Sequence, residues 1–137
     1  VLEEPAKSVQ EADDILSLVR ILEDRREHEA IASLAGGFEM ALREQGRLDV
    51  LMRLALAYKR TSQTAKAVAI WQHVAERQTA ESQSAWVELA KYYEHRAKNI
   101  PAALEHALRA EAVCAELPSA LTEVQKRIRR LRRKLTI

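Results

Sequence analysis

The sequence predicts an all-α fold of antiparallel helices, on three observations. Apolar residues recur at spacings of three and four along most of the 137 residues, and no segment alternates convincingly with a period of two. Gly and Pro number only three each, too few for the many turns of an all-β chain. The polar breaks between periodic blocks are short, which makes sequential helices antiparallel neighbours.

Taken in order, residues 1–7 read as a tail ending near Pro5. Ser8-Val9-Gln10-Glu11 has the spacing of a capping box, in which the hydroxyl accepts from the third amide and the carboxylate reaches back to the cap. A first helix is expected over residues 12–26, with Ile15, Leu18, Val19 and Leu22 on one face. A second is expected over 29–45, stopping at Gly46, which suits a left-handed C-terminal cap. Gly36-Gly37 lies inside it. Each helical glycine costs about 1 kcal/mol relative to Ala, so the pair implies close backbone packing or a local kink. A third helix spans 48–60, Thr61-Ser62-Gln63-Thr64 breaks it, and a fourth spans 65–78. After a break over 79–84, a fifth runs over 85–98 to Asn99. Pro101 then sits where a first helical turn tolerates proline, opening a sixth helix over 101–116, and Pro118 opens a seventh to about residue 134.

Composition excludes several classes. One cysteine makes no internal disulfide, so this is no disulfide scaffold, and the reducing cytoplasm is the expected compartment. No apolar run reaches the ~18 residues of a membrane span, and the first residues do not read as a basic-then-apolar leader. The chain opens on Val1 rather than Met, so it reads as a possible piece of something longer.

An internal repeat underlies the helical pattern. Leu51, Leu54, Ala55 and Tyr58 recur 35 residues later as Trp86, Leu89, Ala90 and Tyr93. Ala67, Trp71 and Val74 recur at an offset of 36 as Ala103, Ala107 and Ala110. The unit is a helix pair, with one extra residue in the second unit's turn. These residues resemble the tetratricopeptide repeat, a helix pair of ~34 residues. The resemblance implies a TPR-like right-handed superhelix in one domain: a degenerate first pair over 8–46, repeats over 48–78 and 84–116, and a capping helix over 118–135. The chain departs from the family where its turn glycine is expected, with Ser62 in one unit and Ala97 in the other. Ala57-Tyr58-Lys59-Arg60, the run from Trp86 to Arg96, and Leu131-Arg132-Arg133-Lys134-Leu135 are also similar to the helical extension of bacterial ribonuclease H-like, exonuclease-like proteins. That likeness places nuclease chemistry outside this chain.

Catalytic chemistry finds little footing. His28-Glu29-Ala30-Ile31-Ala32 begins like a zinc-protease helix, but Ala32 stands where the second ligand belongs. No histidine pair lies at i, i+4, and Gly36-Gly37 lacks the Gly-Lys-Ser/Thr of a phosphate loop. Cys114 reads as a small core residue. Glu94 and Glu105, imaginable as an acid/base pair, read as solvated surface. No metal, cofactor or enzyme activity is expected.

Binding surfaces are the more informative candidates. The family resemblance lines a partner groove with Asp49, Met52, Arg53, Leu56 and Lys59 from one unit. From the other it adds Val87, Glu88, Lys91, Glu94 and His95. The mixed signs favour a protein or peptide partner over a purely cationic clamp. In the last helix, Leu121, Val124, Ile128, Leu131 and Leu135 form a narrow apolar seam, expected to cap the sixth helix. Around it stand Lys126, Arg127, Arg129, Arg130, Arg132, Arg133 and Lys134, with no acid after Glu123. Such a run releases counterions on meeting phosphates, so nucleic acid is a second candidate partner, without base stacking because no aromatic interleaves it. The expected function is a non-catalytic protein-interaction or scaffold module in the cytoplasm. The alternative is a nucleic-acid-contacting appendage of a larger nuclease.

Overall fold

The computed structural model describes the backbone of residues 5–113 and 118–136. Among these residues the chain is all-helical and contains no strand. Its eight helices are α1 (Pro5–Asp24), α2 (His28–Gly36), α3 (Glu39–Glu44), α4 (Leu48–Arg60), α5 (Thr64–Ala75), α6 (Ala80–His95), α7 (Ile100–Val113) and α8 (Pro118–Leu135). They form two compact units, residues 1–70 and 71–137, with the boundary inside α5.

In the first unit, α1 already begins at Pro5, so Ser8 lies within the helix and is not its cap. Its buried row is Ala12, Ile15 and Val19, whereas Leu18 is 48% exposed. The i, i+3, i+7 row is the one that meets α2 and α4. The single helix expected over 29–45 is two helices, interrupted just after the glycine pair, although Gly37 itself keeps a right-handed φ of −67°. A Cβ on Gly36 would lie 2.6 Å from the Tyr58 hydroxyl oxygen, so any larger residue here pushes against the tyrosine of α4. The chain then turns at Gly37 and Phe38, where the Phe38 N–H donates to the Ala35 carbonyl at 3.0 Å. Both readings of the glycine pair, close packing and a kink, therefore hold at adjacent positions. α3 ends as expected at Gly46, whose φ is +65°. The Arg47 N–H donates to the Leu42 carbonyl at 3.0 Å and the Gly46 N–H to Arg43 at 3.2 Å, the two bonds of a Schellman cap.

The internal repeat has a structural counterpart. Leu54 and Leu89, Ala55 and Ala90, Ala67 and Ala103, Trp71 and Ala107, and Val74 and Ala110 are all at most 3% exposed. The turns after α4 and α6 close on matched carbonyls. The Gln63 N–H donates to Tyr58 at 2.8 Å, and the Asn99 N–H donates to Tyr93 at 2.7 Å. The extra residue of the second unit is absorbed here, as a closure six residues long instead of five. The left-handed residues are Ser62 (φ 64°) and Lys98 (φ 52°). The position equivalent to Ser62 is thus Lys98, not Ala97, because the insertion precedes it.

In the second unit, α6 starts at Ala80 and not at residue 85. The polar stretch expected as a break is the cap and first turn of this helix. The buried Ser82 hydroxyl donates to the Val74 carbonyl at 2.8 Å and accepts from the Thr79 N–H at 3.0 Å. α7 begins where expected, with Asn99 Oδ1 accepting from the Ala102 N–H at 3.1 Å. The core joins Ala90, Ala103, Ala107 and Ala110 to Val124, Ile128 and Leu131 of α8. The middle of the predicted seam is therefore buried against α7, a gross contribution of about 5–9 kcal/mol. Leu121 is half-buried at one end and Leu135 is 44% exposed at the other. Cys114 and the expected end of the sixth helix past Val113 lie outside the described residues.

Candidate binding surfaces

The predicted groove residues are occupied to very different degrees. On α4, Asp49 pairs with Arg47 at 3.2 Å, and Arg47 also holds Asp13 at 2.8 Å. Burial opposes charge on Asp49, but hydrogen bonds from Arg47 and the Val50 backbone outweigh it and hold the carboxyl below its ordinary range. Arg53 is paired with Glu23 of α1. Met52 is half-buried, Lys59 is exposed, and Leu56 is exposed on the same i, i+4, i+7 row. On α6, Lys91 pairs with Glu88 at 3.4 Å, while Val87 packs against the α6–α8 core. His95 is exposed.

Glu94 is the exception. It was expected in the groove, as solvated surface, yet its side chain is fully buried. The physical reason is α8, which brings three cations onto one carboxylate. Arg127 donates to Oε1 at 3.1 Å. Arg130 donates through Nε to Oε2 at 3.1 Å and through Nη2 to Oε1 at 2.7 Å. Lys134 donates to Oε2 at 2.6 Å, and His95 Nε2 lies 3.5 Å from Oε1. Burial works against the charged form, but hydrogen bonds from Arg130 and Lys134, with the fields of Arg130 and His95, prevail and lower the pKa to about 2. Glu105, imagined as its acid/base partner, instead lies exposed on α7 beside Arg109, at 3.6 Å.

The basic helix is consequently split into two stripes. Arg127, Arg130 and Lys134 recur at i, i+3, i+7 and face Glu94. Lys126, Arg129 and Arg133 recur at the same spacing on another side, with Arg132 beside them, and all four are exposed. These four line a shallow groove of 490 Å³. Lys126 approaches Glu123 at 3.5 Å, in an exposed pair. Among the described residues, Arg129, Arg132 and Arg133 have no acidic partner.

Sequence reasoning found these seven cations as one patch but missed Glu94 as their organiser. The signal was present. Glu94 follows Trp86, Ala90 and Tyr93 at i+8, i+4 and i+1, extending the buried stripe of α6 by one turn.

A larger cleft of 940 Å³ in the second unit includes Trp86, His106 and Arg109. Its aromatic surface is already engaged. The Arg109 guanidinium lies 5.2 Å over the Trp86 ring, and His106 lies 5.5 Å from Trp86 and 4.7 Å from Tyr93. His106 Nδ1 is 2.7 Å from the Ala102 carbonyl. A carbonyl only accepts, so this nitrogen carries the proton. Among the described residues no group of three or more His, Cys, Asp or Glu is placed to hold a metal, and no helix is long and apolar enough to cross a membrane. No family model matches the chain, and no curated protein or solved structure was found to be significantly similar to it.

Proposed function

We propose that this chain is a non-catalytic protein-interaction module of the tetratricopeptide-like kind, whose helix pairs stack as a right-handed superhelix, and that it works in the cytoplasm. The reading is supported by the paired buried alanines and by the matched turns after α4 and α6. The observation that carries it is Leu56. α4 buries seven of its residues, yet leaves this leucine 38% exposed on the row it shares with Met52 and Lys59. A leucine left out on an otherwise well-buried helix offers an apolar anchor, and the flanking polar side chains suit the rim of a partner peptide. Arg53 and Asp49 are tied to their own unit and serve to hold α4 in place.

The test is quantitative capture of proteins from a nuclease-treated lysate, comparing the native chain with Leu56→Asp and Met52→Asp. The expected result is loss of the same set of captured proteins from both variants, at an unchanged helical circular dichroism signal. Capture that survives both changes, yet disappears when the α8 arginines are neutralised, overturns the groove assignment.

A further inference from the structure

We infer that the outward stripe of α8, formed by Lys126, Arg129, Arg132 and Arg133, is a binding surface for the phosphate backbone of double-stranded nucleic acid, without sequence selectivity.

The partition made by Glu94 is the starting point. It uses Arg127, Arg130 and Lys134 internally, so those cations fasten α8 to α6. With the Val124, Ile128 and Leu131 face buried against the α6–α7 core, the helix is fixed on two sides. Its remaining side is a preformed row of cations, and fixing it beforehand lowers the ordering cost of binding. The row runs over residues 126–133, about 10 Å along the helix axis. Three of its four members are arginine, whose planar fork matches phosphate oxygens.

The chemistry selects among polyanions. An interfacial helix binds membranes by sinking its apolar face, and on α8 the middle of that face, Val124, Ile128 and Leu131, is already covered. A protein interface relies on buried aromatic or aliphatic anchors, and this stripe offers none. Single strands are gripped by base stacking on aromatics, which are also absent. A duplex needs none of these. It presents one phosphate per about 1.7 Å of axis, so a rigid cationic row finds anions at any register.

The experiment is fluorescence polarisation of short labelled mixed-sequence duplexes, DNA in one arm and RNA in the other, titrated with the full chain between 50 and 200 mM salt. Four phosphates neutralised predict a slope of log K against log salt of about −3.6, a loss of roughly a hundredfold over that range. Changing Arg129, Arg132 and Arg133 together to Gln leaves Lys126 alone, with a slope of about −0.9 and a loss of roughly threefold. Arg127→Gln keeps the native slope. Should the triple variant lose helical signal, Arg133→Gln alone reads the same effect as a slope shallower by about one. DNA and RNA duplexes bind within severalfold of each other if the backbone alone is read. An unchanged slope in the triple variant overturns the inference. So does displacement by polyglutamate as effective as by unlabelled duplex, or tighter binding to phosphatidylglycerol-containing vesicles than to either duplex.

Discussion

Replacing Glu94 with Gln removes one charge from a site where three cations converge. The carboxyl has a pKa of about 2 in the folded chain against an ordinary 4.5. At about 1.4 kcal/mol per unit, the difference corresponds to about 3 kcal/mol of stability. Because the folded pKa is depressed, this stability is fully present above about pH 4.5. It is lost as the pH falls through about 2, where the folded form also protonates. Urea unfolding followed by circular dichroism, repeated across this pH range on the native chain and on Glu94→Gln, isolates the contribution, since every other carboxylate cancels in the difference. The expected difference is about 3 kcal/mol at pH 7, shrinking towards zero near pH 2. A difference below about 1 kcal/mol, or one that does not change with pH, refutes the claim that Glu94 fastens α8 electrostatically.

Two further predictions concern the backbone. Gly36→Ala places a methyl 2.6 Å from the Tyr58 hydroxyl and is expected to cost about 1–3 kcal/mol by overpacking; Tyr58→Phe in the same chain restores most of it, and a double-mutant cycle in urea measures the coupling. Ser62→Gly and Lys98→Gly relieve positive φ values of 64° and 52° and should each stabilise by about 0.5–1 kcal/mol, whereas Ala97→Gly should not, as thermal melting will show.

The helices were legible because their apolar residues repeat at three and four, and the repeat because its small residues recur at matched places. Residues whose role depends on a neighbour distant in sequence were harder to read. Gly36 looked like a helix interior, and only the Tyr58 hydroxyl on α4 explains it. The polar run that opens α6 reads locally as a loop, because nothing local shows that Ser82 satisfies its hydroxyl on the Val74 carbonyl. The apolar seam of α8 and its neighbour α7 followed from spacing, while the division of its cations did not. Formal charge assigns Arg127 and Arg129 the same role. Only the position of Glu94, 33 residues before Arg127, separates a fastening from a free surface.

That separation gives the two stripes of α8 opposite effects on the fold. Residues 126–137 hold seven Lys or Arg and no acid, in a chain whose net charge is only +2. Like charges three or four residues apart destabilise a helix by about 0.2–0.5 kcal/mol per pair. On the inner stripe, Glu94 offsets that repulsion and turns it into attachment. On the outer stripe, Lys126 with Arg129, Arg129 with Arg132, and Arg129 with Arg133 repel at those spacings, and among the described residues the one acidic partner is the exposed Glu123, on Lys126. Neutralising the outer arginines is therefore expected to leave the melting temperature unchanged or slightly higher, while neutralising Glu94 lowers it. The outer cations make no contact that attaches α8, and because they are exposed their mutual repulsion weakens as salt rises.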